Sequence, residues 1–517
     1  MRVSCCYLIL TAAYLLYAPH AEFVLDDWFL FQKIAQAEAQ GGLGELAAGL
    51  LQNRVWGSFR TNGLSFVGVL ALSRIGGARP LVYFMSGLLL HAAIGYLLYL
   101  TLARLDLPRR LAFLAGALFL VLPASHHPLF WFPSCAPYLA SAALSLGYLY
   151  SVAGTVRAGR LTLGAAVAQA VLLAVAALSG DQAFGLLAGG AVLLAAMFRS
   201  RAALASAALA WVTLGVTLGL YIGLVNQASL HGSMAAKFEF TLARLAGNLR
   251  QIGSGYEYRI EAGWDLAAGL AVGLLVAWLL GGVPGGAQPG SLRAALLGSG
   301  LVIVAFAPVA FLRWRELRYE YLPALGLAVL LAAAWRWLGR PGAAALVAFG
   351  VASVLADIRQ GWIPQSENLR VIRRELGRLR DVRDHDIIAV SGAPQQIGTA
   401  PHFAMFLSFS STPFVETATG VWGLVTGRDI TVDSGRLGLE HTDFFRPLES
   451  RDLQRTHVIA CQGWNRCGVR LLLAREVRPG RFQLHALKEY RGPPIETGRL
   501  WSRQELEGGE VYFAPIR

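Results

Sequence analysis

Along residues 1–360, apolar side chains gather in runs of roughly 17 to 25, the length that crosses a hydrocarbon core as a helix. The runs place helices near residues 3–19, 81–103, 111–123, 134–153, 161–178, 183–198, 203–225, 266–281, 294–312, 319–337 and 342–357, about eleven in all. Past residue 358 the pattern changes. "SENLRVIRRELGRLRD" spaces Leu369, Ile372, Leu376 and Leu379 as one helical face between arginines, whereas "DIIAVSG", "THVIACQGW", "GVRLLLAREV" and "RFQLHALKEY" alternate as strands do. The expected fold is therefore a polytopic α-helical membrane domain, residues 1–358, followed by a soluble α/β domain, residues 359–517.

The loop 20–80 is too long for a simple connector. Its segments "LGELAAGLLQNRVW" and "GLSFVGVLALSRIG" have helical apolar spacing but are too short to span, so they are expected to lie along the membrane surface. The stretch "PHAEF" after the first apolar run lacks the small-x-small pattern of signal cleavage, and the first helix reads as retained.

Composition narrows the class. The 517 residues are 55% hydrophobic and 15% charged, with a mean hydropathy of +0.49, which excludes an ordinary soluble globule. A net charge of +13 would suit nucleic acid, but many arginines sit in short turns between apolar runs, where they set topology. No nucleic-acid partner is expected. With the first helix starting in the cytoplasm, "RLDLPRR", "VRAGR", "RSR", the loop ending at Arg293 and "RWLGR" all fall inside, and Asp106 is their one acid. Asp26, Asp27, Asp181, Glu316 and Glu320 fall on the other face, with His126, His127, Arg313, Arg315 and Arg318. Five cysteines without a CxxC pair argue against a zinc or redox motif; Cys461 and Cys467 in "CQGWNRC" either close a small loop or remain thiols.

The outer face supplies the candidate chemistry. "EFVLDDWFLF" pins Asp26 and Asp27 between apolar and aromatic neighbours, where a carboxylate pair is costly unless it takes a proton or binds a divalent metal ion. In the plainer reading, Asp27 caps a helix beginning at Trp28 and Asp26 is solvated. Arg313, Arg315 and Arg318 either hold an anionic group or snorkel at a helix end. Tyr319 and Tyr321 read as interfacial anchors or substrate contacts, and His126 and His127 as a polar turn or as ligands to substrate or metal. Asp181 is either a further carboxylate of the site or the cap of a helix starting at Gln182. Glu316 and Glu320 are expected to pair with nearby arginines, and His91 to be a buried hydrogen-bonding residue.

An acidic pair in the first outer loop resembles the GT-C superfamily of membrane glycosyltransferases, which includes the protein O-mannosyltransferases. Three further stretches carry the likeness. "RPLVYFMSGLLLHAAIGYLLYL" looks like the family's second-helix region. "LAFLAGALFLVLPASHHPLFWFPSCAPYLASAALSL" is similar to the segment after it, with Pro123 and Trp131 around a polar turn. "RELRYEYLPALGLAVLL" resembles the Arg-Tyr-x-Tyr-Leu-Pro opening of a late helix. The likeness covers residues 1 to 340 as spaced patches. It departs at His127, where an acid is common, at Gly180 and Asp181 in place of a Lys-Glu pair, and in lacking tetratricopeptide repeats.

The resemblance implies transfer of a sugar from a polyprenyl-phosphate donor to an envelope glycan, lipid or protein. Asp27 or Asp26 would take the acceptor proton while the other orients it or binds a metal. Arg318, and next Arg313 and Arg315, would hold the phosphate. The place implied is the bacterial inner membrane, with a cytoplasmic N-terminus and a periplasmic C-terminal domain. The rival expectation is a membrane transporter or an envelope-assembly protein with a periplasmic binding domain.

Overall fold

The computed structural model describes residues 2–23, 27, 30–31, 34, 37, 42–51, 61–77, 79–224, 239–250, 263–282, 291–312, 317–376, 378, 387–391, 431–432, 456–461, 467–487, 490–496, 498–506 and 511–514. The chain forms two compact units. The first holds Met1–Ala21 and Leu43–Arg359, and the second holds Glu22–Gly42 and Gln360–Arg517.

The first unit is helical: α1 (Arg2–Thr11), α2 (Leu43–Leu51), α3 (Gly63–Gly76), α4 (Pro80–Arg104), α5 (Arg109–Val121), α6 (Pro123–Phe130), α7 (Phe132–Ala158), α8 (Leu163–Ser179), α9 (Phe184–Phe198), α10 (Arg201–Leu224), α11 (Leu242–Arg250), α12 (Trp264–Gly282), α13 (Ser291–Phe306) and α14 (Tyr321–Asp357). Every apolar run read from the sequence is helical. Among the described residues seven helices are long and apolar enough to cross a membrane, and the α5–α6 pair, bent by 50°, makes an eighth if it is one span. The apolar helices at Cys6–Leu16 and Leu163–Ser179, both expected as spans, are shorter than that measure. The membrane-exposed signature is clearest on α10 and α12, where Trp211, Val212, Leu220, Leu274 and Trp278 are exposed.

Buried within the bundle, α5 packs against α4 and α14, and α14 also packs against α12 and α13. Small residues permit the closest approach: a Cβ built on Gly326 would lie 2.6 Å from the Gly298 carbonyl oxygen, and one on Gly298 would lie 2.7 Å from the Leu330 nitrogen. Gly339, at φ +62°, breaks α14 into two arms. The arms return to one neighbourhood, because Tyr321 at the start bonds His91 and Asp357 at the end bonds His126, and both histidine rings lie about Tyr14. The arginine-bearing turns also gather. Arg157 lies 3.9 Å from Asp106 across two of them, Arg293 stands over Phe198, and Arg340 approaches Gly281.

The C-terminal part of the second unit opens with α15 (Ile363–Leu376). Its first sheet orders β2 (Thr431–Val432), β1 (Ile387–Ser391), β3 (Thr456–Cys461) and β4 (Cys467–Arg470), with β1 parallel to β2 and β3, and β4 antiparallel to β3. A strand flanked by two parallel partners needs crossover connections, as in α/β proteins. Cys461 and Cys467 stand opposite in the β3–β4 register. The second sheet, in order β7 (Trp501–Ser502), β6 (Arg481–Ala486), β5 (Leu472–Arg478) and β8 (Val511–Ala514), covers a small core of Ala474, Phe482 and Leu506. The short helix α16 (Arg503–Leu506) follows β7, and its start is a reciprocal cap: Glu505 accepts from the Ser502 amide at 2.7 Å and from its hydroxyl at 2.8 Å. Those bonds hold the Glu505 carboxyl below its ordinary value.

Candidate functional site

The site begins at the bend between α5 and α6. Leu122 is extended and Pro123 restarts the helix, while the Ser125 hydroxyl donates to the Leu122 carbonyl at 2.8 Å and also to that of Phe119. The restart turns His126 and His127 inward, where they are 1% and 2% exposed. Trp131 follows at the junction with α7, and its ring lies 4.4 Å under the Arg318 guanidinium. Arg318 sits on the turn Leu317–Glu320 that opens α14 and is 7% exposed. Tyr319 stands 5.9 Å away on the same turn, with its ring edge-on to Tyr138 of α7. A guanidinium held over an aromatic ring keeps its charge and its planar fork of donors in a fixed direction. Sequence-predicted His126, His127, Arg318 and Tyr319 are thus parts of one neighbourhood built by α6, α7 and the 317–320 turn.

Asp181 begins a short turn that packs against α7. Its carboxylate makes no hydrogen bond or ion pair among the described residues, so the capping reading has no bond behind it. Asp27 belongs to the second unit. It is helical and 1% exposed, on the same face as Leu30, Phe31 and Ile34. Phe31 stacks on Phe23 at 4.2 Å. Beside it, buried Glu22 accepts from the Phe23 amide and pairs with Arg370 of α15 at 3.7 Å. Asp26, Arg313, Arg315 and Glu316 lie outside the described residues. Among the described residues no three His, Cys, Asp or Glu side chains gather as ligands for a metal ion.

A buried polar cluster completes the first unit. The Tyr14 hydroxyl donates to the Leu120 carbonyl at 2.6 Å, which His91 Nε2 also approaches at 3.2 Å. A carbonyl only accepts, so neutral His91 carries its proton on Nε2, and Nδ1 receives the Tyr321 hydroxyl at 2.9 Å. His126 Nε2 meets Asp357 at 2.6 Å. Two residues beyond Asp357, Arg359 pairs with buried Asp265 at 2.7 Å.

Sequence reasoning missed Asp357, Asp265, Glu22 and Tyr14. The signal available was an acid within or bordering a long apolar run, as in "VLADIRQ", which a membrane segment tolerates only with a partner. Comparison of the chain with protein-family models, characterised proteins and solved structures finds no match.

Proposed function

We propose that this chain is an integral-membrane glycosyltransferase of the GT-C kind, with eleven membrane helices, moving a sugar from a polyprenyl-phosphate donor to a glycan, lipid or protein acceptor outside the bacterial inner membrane. The observation that carries the reading is Arg318, a nearly buried cation fixed on the Trp131 ring, at the end of the bundle away from the arginine-bearing turns. Such a cation suits a phosphodiester that gains charge as its sugar departs. The phosphate leaves as a weak base and needs no general acid. What remains is to remove the acceptor proton, the role given to Asp27 or Asp26. The N-terminus is then cytoplasmic and the second unit periplasmic, following the arginine-rich turns.

A second reading, a transporter, draws on the buried cluster of Tyr14, His91, His126 and Asp357, because ionisable side chains inside a membrane domain also mark solute or proton paths. One experiment separates the two. Purified protein in liposomes is given a panel of polyprenyl-phosphate sugars and an envelope extract, with and without a divalent metal, and products are followed by mass spectrometry. Wild type is expected to consume one donor, with Asp27→Asn or Asp26→Asn reducing turnover at least about 100-fold while remaining folded. A wild type that consumes no donor while moving solute across the bilayer would establish the transporter.

A further inference from the structure

His91 and His126 both lie beside the Tyr14 ring, at 5.9 and 6.3 Å between centroids, but their hydrogen bonding differs. Both nitrogens of His91 are engaged, by Tyr321 and Leu120, and that ring is a completed structural element. His126 is held through Nε2 by Asp357, while its Nδ1 is buried and meets no hydrogen-bond partner among the described residues. A carboxylate only accepts, so it fixes the neutral imidazole with its proton on Nε2 and a bare lone pair on Nδ1. An orphaned buried acceptor is a standing penalty, and apolar side chains of similar volume would fill the same space without it. The arrangement therefore points to an O–H donor that arrives from outside the chain.

The location says which donor. His126 lies on α6, which packs against the 317–320 turn, and the residue that follows α6 is Trp131, the platform beneath Arg318. A group bound to the sugar side of a phosphate held at Arg318 would reach toward α6. We propose that His126, oriented by Asp357, accepts a hydrogen bond at Nδ1 from a ring hydroxyl of the donor sugar, so that His126 selects the sugar and Asp357 is its positioning residue. This inference rests on the transfer reading above. Tyr14, His91 and Asp357 surround the His126 ring, and Arg318 and Glu320 stand on the turn packed against its helix.

The test uses the full chain in lipid nanodiscs. Histidines are carbethoxylated with diethyl pyrocarbonate, mapped by peptide mass spectrometry, in the absence and presence of each polyprenyl-phosphate sugar of the panel. Labelling of His126 but not His91, suppressed by one donor, is expected. Asp357→Asn, whose amide can donate to Nε2 and shift the ring proton to Nδ1, should raise KM for that donor about tenfold with a smaller change in kcat, and blunt its preference over the analogue lacking one hydroxyl. His126 as inert as His91, or labelled without protection by any donor, overturns the proposal, and this holds even where Asp357→Asn fails to fold. Protection without consumption upholds the subsite and removes the transfer reading; consumption without protection does the reverse.

Discussion

At the scale of single residues, Arg318 is the most informative. Its guanidinium depends on a flat aromatic face, so charge alone does not define its role. Arg318→Lys should keep the fold and the charge yet reduce donor turnover by about tenfold or more, and Arg318→Gln should reduce it further. Steady-state kinetics beside melting curves of both variants would check this; Lys behaving as Arg would assign the residue to helix anchoring. His127 and Asp27 teach a related lesson. Both were legible as polar residues in apolar surroundings, but their burial was not, because the chain leaves open whether such a residue faces lipid, water or protein. Asp357 was hidden for the opposite reason. It sits near the end of an apolar run, where an acid reads as a boundary, and its partner His126 is 231 residues away in sequence.

Among elements, the helices were readable because length and apolarity are local properties, and all eleven runs are helical. What periodicity could not give was the bend of α5 into α6 or the break of α14, although Pro123, Gly339 and Pro341 mark both places. Nor did it give the contact between α13 and α14, which depends on Gly298 and Gly326 facing each other's backbone. Gly326→Leu drives a side chain into that backbone and should destabilise the first unit by about 1–3 kcal/mol. Unfolding in mixed micelles would measure it, with Gly68→Leu as the control, since nothing lies within 4 Å of a Cβ placed there.

For the whole molecule, the division into units joins parts that sequence order separates. The 22–42 stretch clusters with the C-terminal part, in which Glu22 pairs with Arg370, and pairing of that kind leaves no trace in local pattern. Sidedness is the property to test at this scale. Arg157→Cys, at an exposed arginine-bearing turn, should react with a membrane-impermeant maleimide only from the cytoplasmic side, and Arg478→Cys, exposed in the second unit, only from the outer side. Equal labelling of both from one side would overturn the proposed topology.

The break at Gly339 bears on how the protein is made. Because the two arms of α14 double back, neither is joined to its packing partners by a continuous rod, and Tyr321 and Asp357 are fixed by separate hydrogen bonds. During synthesis the first arm leaves the ribosome with α13 already available, while the second must wait for its own residues before Asp357 can find His126. A chain severed after Gly339 therefore keeps each arm whole, with Tyr321 still able to meet His91 and Asp357 to meet His126, and co-expressed pieces ending and beginning there are expected to reassemble as a nicked pair.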